Sequence, residues 1–68
     1  MLSIRNFTMR EEQVLNLVAE GWTNREIAEK LHVTEETVKS HVKHMMTKAG
    51  TATRTELAVK CIREGVIK

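Results

Sequence analysis

Cysteine occurs once in these 68 residues, at Cys61, so neither an internal disulfide nor a thiolate cluster for zinc can hold the chain together. A lone thiol of this kind reads as a small core residue. Proline is absent, and no alternating run of β-branched residues suggests a strand. No apolar run approaches the roughly 18 to 20 residues that a membrane-spanning helix needs, and the opening MLSIRNFT lacks the apolar stretch of a secretory signal. The expected location is the cytoplasm, away from membranes. There is no glycine-rich phosphate loop and no pairing of a nucleophile with a base, and the chain is too short to enclose a pocket. An enzyme, a cofactor and a small-molecule ligand are therefore not expected. His41 and His44 stand three apart, but no carboxylate or cysteine matches them, so no metal is expected either.

Hydrophobic residues make up 41% and charged residues 29%, the mix of a globular domain rather than a disordered tail. The length, 68 residues, suits a single domain. A domain of this size buries only about 60% of its unfolded surface, so stability must come from helix packing or oligomerisation. The formal net charge is only +2, but it is unevenly spread. Residues 1–38 hold four Lys/Arg against seven Glu, and residues 39–68 hold seven Lys/Arg against two Glu. Such polarity is the electrostatic footprint of a polyanion binder.

Four helix starts are marked by their caps. Thr8 with Glu11, Thr23 with Glu26 and Thr53 with Glu56 each form a Thr-x-x-Glu capping box, in which hydroxyl and carboxylate satisfy each other's backbone N–H. Thr34 begins the fourth, with Glu35 and Glu36 favoured at the positive end of the helix dipole. Gly21, Gly50 and Gly65 each follow a periodic segment and can close it in the left-handed conformation. Helices are thus expected at about 9–20, 24–31, 35–49 and 54–64. The all-α core is expected from Val14, Leu15, Leu17 and Val18 of the first and Ile27, Ala28 and Leu31 of the second, with Phe7 as a staple before the first cap. Only His32, Val33 and Thr34 separate the second helix from the third, the spacing of a helix-turn-helix. His32 stands where a turn glycine is common.

The stretch TEETVKSHVKHMMTKAG, residues 34–50, organises the rest. At about 100° per residue, Val38, Val42, Met45 and Ala49 share one side, and Glu36, Lys39, Ser40, Lys43 and Thr47 the other. Lysines and short hydrogen-bonding groups without a large apolar side chain suit the floor of a DNA major groove. Asn24 and Arg25 stand at the N-terminus of the second helix, where backbone N–H groups can help to hold phosphate. The last helix carries two apolar sides, Leu57/Ala58/Cys61 and Val59/Ile62/Val66 with Thr55. Either most of its circumference is buried, or the second side is a twofold dimer contact.

The run from Thr8 to Glu11, Val14-Leu15, Ala19-x-Gly21, Thr23-Asn24-Arg25-Glu26-Ile27-Ala28, Leu31, Val33-Thr34, Thr37-Val38-Lys39, His41-Val42, Lys48, Gly50 and Arg54-Thr55-Glu56 resembles the LuxR-type (NarL/FixJ/GerE-like) helix-turn-helix over nearly the whole chain. The resemblance implies a four-helix domain that binds double-stranded DNA through its third helix and pairs through its fourth on a two-half-site operator. It implies base contacts at Lys39, Ser40 and Lys43, with Glu36 in some members, and backbone contacts near Asn24, Arg25, Thr37 and His41. The dimer contact falls to Thr55, Val59, Ile62 and Val66. Two departures stand out: Phe7-Thr8-Met9 replaces the usual Leu-Thr-Pro, and Ala49 replaces a leucine. Within these residues no receiver or ligand-sensing domain precedes the helix-turn-helix. A competing expectation is a protein-interaction module that pairs with a full-length regulator and modulates it.

Overall fold

The computed structural model describes residues 7–65. Among them lie four helices, α1 (Met9–Ala19), α2 (Asn24–Leu31), α3 (Glu35–Ala49) and α4 (Arg54–Arg63), and no strand. The expected starts hold at every helix, and the ends of α1 and α4 fall one residue earlier than expected. Thr8 accepts from the Glu11 N–H at 3.1 Å while the Glu11 carboxylate accepts from the Thr8 N–H at 2.9 Å. Thr23 and Glu26 repeat this arrangement at the same distances, and Thr34 accepts from the Thr37 N–H at 3.1 Å.

The expected third box forms only in half. Thr53 accepts from the Glu56 N–H at 3.1 Å, but the Glu56 carboxylate accepts from the Thr53 hydroxyl rather than from its N–H. The cap backbone explains the difference: φ is −131° at Thr53 against −74° and −78° at Thr8 and Thr23. Rotation about that N–Cα bond swings the cap N–H away from the carboxylate.

Three helices close in the same way. Trp22, Val33 and Thr51 each donate a backbone N–H at 3.0 Å to Leu17, Ala28 and Met46 respectively, five residues back, the bond of a Schellman turn. Such a turn needs a left-handed residue just before the donor. Gly21 and Gly50 supply it at φ 91° and 71°, and His32 supplies it at φ 58°. For an L-residue this conformation costs about 1–2 kcal/mol, and His32 is the one non-glycine with positive φ among the described residues.

The closed helices meet in one core. Val14, Leu15, Leu17 and Val18 of α1, Ile27 and Ala28 of α2, Val38, Val42, Met45 and Ala49 of α3, and Leu57 and Cys61 of α4 are buried together, with Phe7 at the edge. Helix α3 packs on each of the other three, whereas α2 and α4 touch only weakly. Trp22, Leu31, Val33 and Met46 are half-buried around this core. Met45 is fully buried, and its flexible thioether can occupy volume that a leucine at position 49 would take.

Among the described residues Glu11 is the charged side chain buried with the core. It meets Lys48 Nζ at 2.9 Å, joining the start of α1 to the end of α3. The ammonium also lies 5.7 Å from the centre of the Phe7 ring, within range of a cation–π attraction. Lys60 Nζ donates to the Ala49 carbonyl at 2.5 Å and so satisfies one of the carbonyls that the end of α3 leaves open.

Candidate nucleic-acid interface

With Val38, Val42, Met45 and Ala49 inside, the opposite side of α3 turns to solvent. Glu36, Lys39, Ser40, Lys43 and Thr47 are all exposed, as their spacing requires. Lys39 Nζ lies 3.7 Å from the Glu36 carboxylate, and both side chains are mostly solvated. A pair of this kind is worth at most about 1 kcal/mol, so either side chain can leave it for another partner. Thr47 differs from its neighbours, because its hydroxyl donates back to the Lys43 carbonyl at 3.1 Å. Thr37 and His41 are half-buried on the flanks of this surface, and the Thr37 hydroxyl is 3.0 Å from that of Thr34.

Asn24 and Arg25 form a second group at the start of α2. Arg25 is exposed, with Nε 3.3 Å from Glu29 one turn on. Asn24 is half-buried, and its Oδ1 accepts from Arg54 Nη1. The other arm of the same guanidinium donates to the Trp22 carbonyl at 2.6 Å. Arg54 thus connects the first residue of α4 to the turn before α2. The sequence offered no sign of this role, since Arg54 lies 30 residues from Asn24 and 32 from Trp22. Trp22 in turn has Lys30 Nζ 5.6 Å from its ring centre.

The fourth helix is not buried around most of its circumference. Leu57 and Cys61 are fully covered, but Val59 and Ile62 remain 43% and 53% exposed, and Thr55 is exposed beside them. Among the described residues the core takes only one side of α4. Val66 lies outside the described residues. Burial pushes the Cys61 thiol above its usual range, with a smaller upward contribution from Glu64, as suits an unreactive core thiol. Among the described residues no group of three or more His, Cys, Asp or Glu is placed to hold a metal ion, and no helix is long and apolar enough to cross a membrane.

The family model for bacterial regulatory proteins of the luxR family matches residues 5–61. The chain is 45% identical over 62 residues to YxjL of Bacillus subtilis strain 168, an uncharacterized transcriptional regulatory protein, covering 91% of this chain and 28% of that one. It is 46% identical over 56 residues to NarL of Escherichia coli K12, a nitrate/nitrite response regulator, covering 82% of this chain and 26% of that one. The chain therefore spans little more than a quarter of the length of these relatives. The structure of the transcription factor GerE superposes with a TM-score of 0.88 over 97% of this chain and 96% of that one, at 24% identity, and shows the same fold. On the family-model match and the identity to these regulators, the chain, with the helix-turn-helix built by α2 and α3, belongs to the LuxR family of bacterial regulatory proteins, as a DNA-binding domain of its transcription regulators.

Proposed function

We propose that α3 enters the major groove of double-stranded DNA and reads a half-site through Lys39, Ser40 and Lys43, with Glu36 at the start of the helix. Lysine ammonium groups donate to guanine O6 and N7, serine donates or accepts, and a glutamate accepts from cytosine N4. Asn24, Arg25, Thr37 and His41 hold the phosphate backbone, which positions the domain without reading sequence. Two copies pair through Thr55, Val59, Ile62 and Val66 of α4, so that the operator has two half-sites related by a twofold axis. The protein acts in the cytoplasm. The observation that carries this reading is the division of α3: four buried apolar residues on one side hold five exposed polar ones on the other. The exposed Val59 and Ile62 support the pairing, because apolar side chains adjacent on one helix gain most from a matching surface.

Selection of bound duplexes from a random pool tests all three parts together. The expected product is a palindromic motif with half-sites about one helical turn apart. A motif without symmetry would remove the dimer. Failure to enrich any motif would remove DNA reading and favour a module that pairs with another regulator through α4.

A further inference from the structure

We propose that Arg54 is a positioning residue for DNA binding: it fixes which way round the Asn24 amide is held, so that the donor half of that amide is left for a phosphate. The inference rests on the reading of Asn24 as a backbone contact.

Donor and acceptor chemistry sets the orientation of the amide. A guanidinium carries N–H donors and no acceptor, whereas an asparagine amide has one acceptor oxygen and one NH2 group on the same planar head. Arg54 Nη1 is bonded to Asn24 Oδ1. The opposite flip would set the NH2 group against a second donor, so Arg54 excludes it. The Nδ2 donor is then the half left for an outside acceptor, and a phosphate oxygen is only an acceptor. Without Arg54 the amide could turn either way, and asparagine near a helix start also competes for nearby backbone groups. In the wrong orientation it would offer oxygen to oxygen.

Arg54 is itself held. Its second arm donates to the Trp22 carbonyl at 2.6 Å, and Trp22 is fixed by its own N–H bond to Leu17 at the end of α1. The planar fork thus spans two acceptors on either side of the Thr23 cap, and does so from a half-buried position. Helices α2 and α4 pack only weakly on each other, so these two bonds supply much of what ties the start of α4 to the start of α2. A lysine could reach one acceptor but has no rigid fork to span both.

The test is a double-mutant cycle on DNA affinity, read by fluorescence anisotropy with the selected duplex and with a scrambled one. The variants are Asn24→Ala, Arg54→Met and the two combined, and thermal unfolding is followed for each. Arg54→Met removes every donor of the fork, and a purely ionic contribution of Arg54 would multiply with the loss at Asn24 instead of merging with it. Each single substitution is expected to weaken both duplexes alike by about 3- to 10-fold, the worth of one net hydrogen bond. The combined variant is expected to bind no more than about twofold weaker than Asn24→Ala, while its loss of thermal stability from Arg54→Met persists. Multiplying affinity losses would overturn the proposal, and so would an Arg54→Met variant that binds like wild type. If Asn24→Ala binds like wild type while the unaltered domain binds DNA, the assignment of Asn24 itself falls, and this inference with it.

Discussion

Replacing Glu11 with glutamine changes a charge in the core while keeping its shape, and the structure sets the size of the effect. The carboxylate is 5% exposed and accepts from the Thr8 N–H and from Lys48 Nζ, each at 2.9 Å. Glutamine can still accept the backbone bond, so the loss falls on the bond to Lys48. Breaking a fully buried ion pair costs about 3–5 kcal/mol, because the surviving charge is stranded. Lys48 is one-third exposed and can turn toward water. The cost should therefore be that of one hydrogen bond between charged groups, about 2 kcal/mol. In a domain of this size each kcal/mol moves the melting temperature by about 4–8 °C, so Glu11→Gln should melt roughly 10 °C lower at neutral pH. Glu26→Gln is the control: it alters the same local motif at an exposed site, and should cost less than about 1 kcal/mol.

The pH dependence tests the mechanism as well as the size. Burial alone pushes the Glu11 carboxyl up; the Thr8 N–H and the hydrogen bond and charge of Lys48 outweigh it, and the net shift is below the usual 4.5. A carboxyl lowered on folding contributes stability that is complete above its unfolded value and is lost as pH falls through its folded value. Glutamine does not titrate. The difference in melting temperature between wild type and Glu11→Gln should thus hold down to about pH 5 and shrink toward pH 3. A difference that stays constant or grows over that range, or the absence of one at neutral pH, would refute the reasoning.

Three further outcomes follow from the structure. His32→Gly should stabilise the domain by about 0.5–1 kcal/mol, read as a higher denaturant midpoint at unchanged slope, since relief of the left-handed strain exceeds glycine's added chain entropy; an unchanged midpoint would mean that His32 is not strained. Lys43→Ala should lower affinity and relax preference at one base step, whereas Arg25→Ala should weaken every sequence alike; binding to random-pool duplexes separates the two patterns. Val59→Asp should abolish pairing in sedimentation with a palindromic duplex present, and identical behaviour of variant and wild type would show that α4 is not the contact.

What could be read from the chain divides by distance along it. The inward set of α3, the two complete capping boxes and the turn-closing glycines depend on residues no more than about a helical turn or two apart, where period and chemistry are fixed by local geometry. Glu11 marks the limit. As the third residue of a Thr-x-x-Glu box it is identical in pattern to Glu26, yet Glu11 is buried and Glu26 exposed. Of the two, Glu11 is the one met by a distant partner, Lys48, 37 residues away. Thr53 and Glu56 fail in the opposite sense: the motif is present, but the approach of the preceding chain sets a φ that the full box does not accept. The exposed polar group on α3 was legible for the same reason as its core side. The tie between Asn24 and Arg54 was not, because no periodicity connects two helix starts.

The same distinction changes the meaning of the basic second half of the chain. Of its seven Lys/Arg, Lys48, Arg54 and Lys60 are half-buried and bonded to Glu11, to Asn24 and Trp22, and to the Ala49 carbonyl. Their charge fastens helix ends to one another. Lys39 and Lys43 are the exposed pair on α3, and Arg25 joins them from the acidic half. Each phosphate neutralised contributes about −0.9 to the slope of log affinity against log salt concentration. A cation that enters the groove displaces counterions even where it bonds a base edge, so these three per copy predict a slope of up to about −3 per half-site, where counting the whole basic half would give about twice that. Titration of a single half-site duplex over a range of salt measures it. A slope near −6 would mean that the half-buried set leaves its internal partners on binding, and that the domain loosens its own helix ends to hold DNA.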